Sequence, residues 1–251
     1  MRTARLGKTG TWRARWKGRA GVIAAAWLAF AARAGTASGG DFASLADAGT
    51  REGYLARLLI NETPFPGERG WVSEADTKDA MLSVLWVLES RRAHVPEGYR
   101  QSEVGAVEST NLVDFITARK QCQGFWADSA GVPAMDPRVE ERIAYLLKIA
   151  NSGKAPGRFA GLVNHAGELA RRYYAGEAED DDLFAGLETV GGVAVTGRAY
   201  SWMTGQDVYH PGGSFVKIPD ALRGLLGGNR FFTLEKRADD KEEKEEEREK
   251  P

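Results

Sequence analysis

Apolar residues recur through the first two thirds of this chain at helical spacing, and through the remainder in short runs cut by glycine. Leu55, Leu58, Leu59 and Glu62 fall at i, i+3, i+4 and i+7, so the acid lies on the apolar stripe. Thr63 precedes Pro64, and a residue before proline is pushed out of the α region, so the helix is expected to end at about Glu62. Pro64–Trp71 reads as a turn-rich loop. Ser73, Asp76 and Asp79 offer helix-start chemistry for a helix from about Thr77 to Arg91. It carries Met81, Val84, Leu85 and Leu88 on one side, with Leu82 and Trp86 on another; a helix apolar over that much of its circumference is expected to be central.

Thr110 or Ser109 can cap a helix through Leu112, Phe115 and Ile116 to about Lys120. Asp136 as cap, Pro137 at the first position and the stripe Val139, Ile143, Leu146, Leu147, Ala150 predict another, closed by Gly153. A further helix is expected around Ala166–Tyr174, followed by a solvated acidic loop at Glu177–Asp182. From Gly191 the pattern changes to turns and β-prone runs at Val193–Val195, Ser214–Ile218 and Arg230–Leu234, with a short helix from Pro219 and Asp220 to Gly227-Gly228. No repeat at solenoid periods is present. The pattern thus predicts a mainly α (α+β) domain with a small β element near the C-terminus.

The two ends differ from the middle. The first forty residues hold eight Lys or Arg and no Asp or Glu. Seven of those cations precede the uncharged run Ala20–Ala32, too short to span a bilayer comfortably and suited to a signal-peptide core. Small residues follow, so residues 1–38 are expected to be a signal peptide cleaved between Ala34 and Ser38. A retained amphipathic anchor or a mitochondrial transit peptide is the alternative. Residues 39–50 read as a linker, residues 51–235 as one domain, and the charged tract 236–251 as a disordered tail.

All 35 acids lie after residue 40, against 26 Lys and Arg, so the exported portion is net acidic. That argues against nucleic acid as a partner, because affinity for phosphate backbones comes largely from clustered cations. The single cysteine, Cys122, leaves no intramolecular disulfide.

Most chemistries lack their signatures. His94, His165 and His210 are scattered, with no close-spaced ligand pair, so no metal and no cofactor is expected. Gln121–Trp126 superficially echoes the cysteine segment of papain-like proteases, but Phe125 stands where the nucleophile would be, and Cys122 reads as a small buried hydrophobe. No nucleophile elbow, P-loop or dinucleotide fingerprint is present, and Gly191-Gly192 and Gly227-Gly228 read as turns. Carbohydrate chemistry remains. Desolvation by the leucines, helped by the negative end of the helix dipole, would keep Glu62 protonated near neutral pH, as a general acid requires. Trp71, Trp126, Tyr200, Trp202, Tyr209 and Phe215 are available as sugar-stacking faces, of which one or two need line a groove.

With those residues in hand, the chain resembles the SleB-type cell wall hydrolases, the spore-cortex-lytic enzyme family. Leu55–Glu62, Gly67-Glu68 and Ala80–Arg91 look like the family's glutamate helix, glycine-glutamate turn and core helix. Gln121–Trp126 is similar to its glutamine-phenylalanine segment. Gly212–Pro219 and Gly227–Phe232 look like its two glycine-led strands. The family's compact glutamate-to-glutamate turn is replaced here by the longer Glu62–Glu68 stretch with two prolines, and Gly131–Thr204 is longer than the family would need.

The resemblance implies a lysozyme-like, mainly helical domain that cleaves the MurNAc–GlcNAc bond of peptidoglycan in the periplasm or outside the cell, as a glycosidase or lytic transglycosylase. Its catalytic acid would be Glu62, with Glu68 and Asp207 as outer candidates. Peptidoglycan glycan strands would be the partner, and the signal segment the only membrane contact. A non-catalytic envelope domain that binds glycan or protein is the alternative.

Overall fold

A computed structural model describes residues 42–152, 156–204 and 210–237. The signal segment and nearly all of the charged tail lie outside the described residues. Of the segment read as a linker, residues 42–50 are described and lie against the helices. Ala43 is buried and both its backbone groups bond the side chain of Asn151, while Arg57 donates to Ala46 O.

Helix α1 (Arg51–Asn61) starts on Thr50, whose hydroxyl accepts from Gly53 N, and ends with Glu62 as its C-cap. The halt before Pro64 follows the expected course. Leu55, Leu58 and Leu59 are wholly buried. Helix α2 (Glu74–Ala93) is longer than the sequence pattern predicts, because Ser73 accepts from Asp76 N and starts it one turn early. It is buried on nearly every side and packs on both helix α6 (Pro156–Tyr174) and the sheet. The short helices α3 (Gln101–Gly105) and α4 (Leu112–Thr117) lie between, the latter capped by Asn111 and not by Ser109 or Thr110. Helix α5 (Pro137–Ala150) starts on Asp136 with proline at its first position, as its sequence dictates.

The strands overturn the expectation of a mainly α, lysozyme-like domain with a small β element. The chain is α+β, with 41% helix and 18% strand. A two-stranded sheet pairs β1 (Phe125–Ala127) with β2 (Pro133–Met135). A five-stranded antiparallel sheet runs β3 (Leu187–Val190), β4 (Val193–Thr204), β7 (Asn229–Glu235), β5 (Phe215–Lys217), with β6 (Leu225–Leu226) also on β7.

Two devices let β4 run twelve residues where the sequence shows only a three-residue β-prone run. Gly197, at φ 87°, carries the chain through a bend. A bulge then leaves Tyr200 as an extra residue between the pairs Ala199↔Thr233 and Ser201↔Phe232. The N-terminal half of β4 pairs with β3, while β7 pairs along it from Val195 to Thr204.

Gly227-Gly228 does form a turn. Both residues have positive φ, as the tight turn joining β6 to β7 requires. A Cβ at Gly227 would lie 2.7 Å from that of Ala80, so the hairpin tip is seated on α2. The segment read as a short helix before it is a single 3-10 turn (Asp220–Leu222) followed by β6. The acidic loop is only partly solvated. Asp182 is buried, accepts from Phe184 N and pairs with Arg198 at 3.2 Å.

Candidate active site

Glu62 is set where a helix end, a pinned loop and a strand meet. Its backbone carbonyl accepts from Asn229 Nδ2 at 2.7 Å. Just beside it, Arg142 of α5 donates from Nη1 to Ile60 O at 2.8 Å and from Nη2 to Thr63 O at 3.0 Å. The proline-containing loop that follows is held by Thr77 Oγ1 on Pro64 O and by wholly buried Phe65. Backbone freedom at the acid is therefore small.

The carboxyl group is sheltered and oriented. Glu62 is 8% exposed. Trp202 Nε1 of β4 donates to Oε2 at 2.9 Å and Thr204 Oγ1 to the same oxygen at 3.2 Å. Oε1 has only Asn61 Nδ2 at 3.4 Å. Both good donors thus sit on one oxygen, and a proton on the other displaces neither. Burial pushes the carboxyl above the ordinary carboxylate range. The hydrogen bonds from Trp202, Thr204 and Asn61, and the charge of Arg142, oppose this without reversing it.

Glu62 borders a cavity of about 910 Å3. Asn61, Trp202, Thr204 and Arg142 share its wall, together with Arg91, Gln121, Gln123, Gly124, Glu103, Asp136 and Phe215. Arg138 pairs with Asp136 and holds its carboxyl below the usual range, while the Arg100 backbone amide does the same for Glu103. The cavity therefore combines one carboxyl held toward its neutral form with carboxylates held ionised.

Of the residues singled out from sequence, Glu62, Trp202 and Phe215 come together here. The others are placed elsewhere. Glu68 turns its carboxylate onto Arg142 Nε and Nη2, at 2.9 and 2.5 Å, and accepts from Phe65 N, so it braces the loop. Trp71 is half-buried outside the cavity. Trp126 is 40% exposed on β1, also away from it. Tyr200 and Trp202, two residues apart, part company at the bulge. Tyr200 packs with Val104 and Leu234 and donates to His94 O, whereas Trp202 joins the main core. Asp207 and Tyr209 fall outside the described residues.

The thiol reading finds no support. Burial, with the nearby Glu62 charge, pushes the Cys122 thiol up, and Cys122 does not border the cavity although Gln121 and Gln123 do. His165 is half-buried on α6 and held neutral, its pKa pushed down to about 4 first by burial and then by Lys78. His210 is exposed and accepts from Gly212 N. Among the described residues no three His, Cys, Asp or Glu side chains converge as a metal site. No helix among them is long and apolar enough to cross a membrane.

Arg142 was not singled out, and Arg91 only as the end of the core helix that the resemblance matched, yet the spacing that marks Glu62 marks both. Arg142 follows Val139 by three positions, and Arg91 follows Val84 by seven and Leu88 by three, so each cation continues an apolar stripe. No family model, curated protein or solved structure matches the chain.

Proposed function

We propose that this protein is an exported enzyme that cleaves glycosidic bonds of the cell-wall glycan, with Glu62 as its one general acid and base. The observation that carries the reading is a carboxyl both sheltered from water and bordering a cavity of about 910 Å3, large enough for sugar rings. Burial holds such a group toward its neutral form, and a protonated carboxyl can deliver its proton where a leaving oxygen lies.

The reaction needs few parts. Glu62 protonates the glycosidic oxygen as the bond to the anomeric carbon breaks. The carboxylate left behind then takes a proton, either from the muramyl 6-hydroxyl, closing an anhydro ring, or from a water that adds to the anomeric carbon. Trp202 and Thr204, donating to Oε2, stabilise the carboxylate at the moment it forms. The anhydro route needs no second carboxylate as nucleophile, so the acid in hand suffices.

Glu62→Gln keeps the size of the side chain and removes the titratable proton. It is expected to lower release of soluble fragments from purified peptidoglycan by about 10²–10⁴-fold, the usual worth of a general acid. Mass spectrometry of those fragments distinguishes anhydro-muramyl from reducing ends. Undiminished cleavage by the variant overturns the assignment of the acid. A native protein that binds the glycan without cleaving it leaves a non-catalytic envelope domain.

A further inference from the structure

We propose that the cavity beside Glu62 contains a subsite for a carboxylate of the substrate, built on Arg91 and Lys120, so that the glycan it accepts is an acidic one. The inference rests on the glycan-cleaving reading and adds to it the chemical class of the strand.

The charges around the cavity do not balance once each is matched to its partner. Arg138 pairs with Asp136, Arg142 with Glu68, and Glu103 with Arg100 and Arg237. Glu62 is held toward its neutral form. Arg91 and Lys120 remain, and among the described residues neither has a carboxylate at ion-pair distance. In a protein whose described and tail segments are acidic on balance, two unmatched cations bordering one cavity are a local exception.

Arg91 is the stronger half. It is 4% exposed, at the end of α2. Nε donates to Tyr200 O at 2.7 Å and Nη1 to Gln121 Oε1 at 2.9 Å, while the guanidinium lies over the Trp202 ring, 5.3 Å from its centroid. Nη2 has no acceptor among the described residues, and the side chain borders the cavity. A buried charge without a counter-charge is costly, and proteins keep one where a partner completes it. The loss of solvation is visible in the guanidinium itself, whose hold on its proton is weakened to about 10 by burial.

Lys120 stands one residue from the glutamine that braces Arg91. It has φ 64°, a left-handed conformation uncommon for a residue with a side chain and found where the surroundings impose it. The side chain is exposed on the cavity rim. One fixed guanidinium nitrogen and one ammonium bordering the same cavity suit a single-charged, planar carboxylate. A phosphate dianion calls for more donors, commonly a nest of backbone amides. Peptidoglycan strands carry carboxylates on their peptide substituents, whereas a plain N-acetylglucosamine polymer carries none.

The test uses the full-length protein with Glu62→Gln, so that ligand is bound without turnover. Calorimetry compares a muropeptide fragment with free carboxylates against the same fragment with those groups amidated. The free acid is expected to bind about tenfold more tightly, and Lys120→Gln in the same background to bring the two within about twofold. Lys120 is exposed, so its loss leaves the fold intact; coincident melting curves verify this. Equal affinity for acid and amide overturns the subsite and leaves the cleavage reading standing. Failure of both fragments to bind removes the glycan reading and the subsite with it. Displacement of the acid by inorganic phosphate at lower concentration than by acetate overturns the carboxylate assignment.

Discussion

At the scale of single residues, the proton on Glu62 is a property of folding as much as of chemistry. In the unfolded chain this carboxyl titrates at the ordinary value; in the fold, burial raises it. Between those two pH values the unfolded state has lost a proton that the folded state keeps, so stability falls as pH rises through the window, by about 1.4 kcal/mol per unit of separation. Glu62→Gln removes the titration while leaving an oxygen to accept from Trp202 and Thr204. The variant is expected to gain on the native protein as pH rises from about 4, with the gain levelling off above the raised value. Urea denaturation across pH 4–8 checks this, and parallel curves for the two proteins would mean that Glu62 is ionised in the fold. The acid was legible in the sequence because its stripe and Pro64 are both local signals. Trp202's role was not, since its indole nitrogen meets Glu62 across 140 positions. Composition offered it only as one aromatic among several.

At the scale of elements, the site depends on α5 holding the end of α1. Arg142 donates to the carbonyl of Ile60 in α1, to that of Thr63 just beyond it and to both oxygens of Glu68, and its guanidinium lies 5.8 Å from the Phe65 ring centroid. Arg142→Met keeps the bulk against Phe65 but strips donors from partly buried acceptors. A loss of about 2–3 kcal/mol in stability is expected, the worth of a few charge-assisted hydrogen bonds discounted for partial exposure. Because the lost cation also steadied the Glu62 carboxylate, the basic limb of the pH–activity profile should move to higher pH. A variant that loses stability with an unmoved profile would show that Arg142 acts on the loop alone. α1, α2 and α5 were readable because their stripes are local, α5 down to Asp136 and Pro137; α6 begins at Pro156, ten residues before the expected Ala166, and α4 takes Asn111 as its cap in place of Ser109 or Thr110. β4 was not, since a glycine bend and a bulge at Tyr200 interrupt the alternation by which strands are recognised, and the pairing that stabilises it lies about thirty residues on.

At the scale of the whole molecule, the helices and the five-stranded sheet share one core. Leu55 and Leu59 of α1, Val84 and Leu88 of α2, Leu162 of α6, and Trp202 and Phe231 of the sheet belong to the same buried cluster. Glu62 has its backbone on the helical side and its hydrogen-bond donors on the sheet side, so the acid is assembled only when both are in place. Phe231 lies at that seam, wholly buried, opposite Trp202 in register and 5.2 Å from the ring of Phe184. Phe231→Ala opens a cavity there and is expected to cost about 3–5 kcal/mol, a large share of the roughly 5–15 kcal/mol that holds a domain together. If the core is one cooperative unit, helical circular dichroism and tryptophan fluorescence must fall at the same lowered denaturant midpoint. Fluorescence that shifts while the helical signal holds its native midpoint would mean that the helices fold without the sheet. Glu62 would then lose Trp202 and Thr204 in a partly folded state, and activity should vanish at the first transition and not the second.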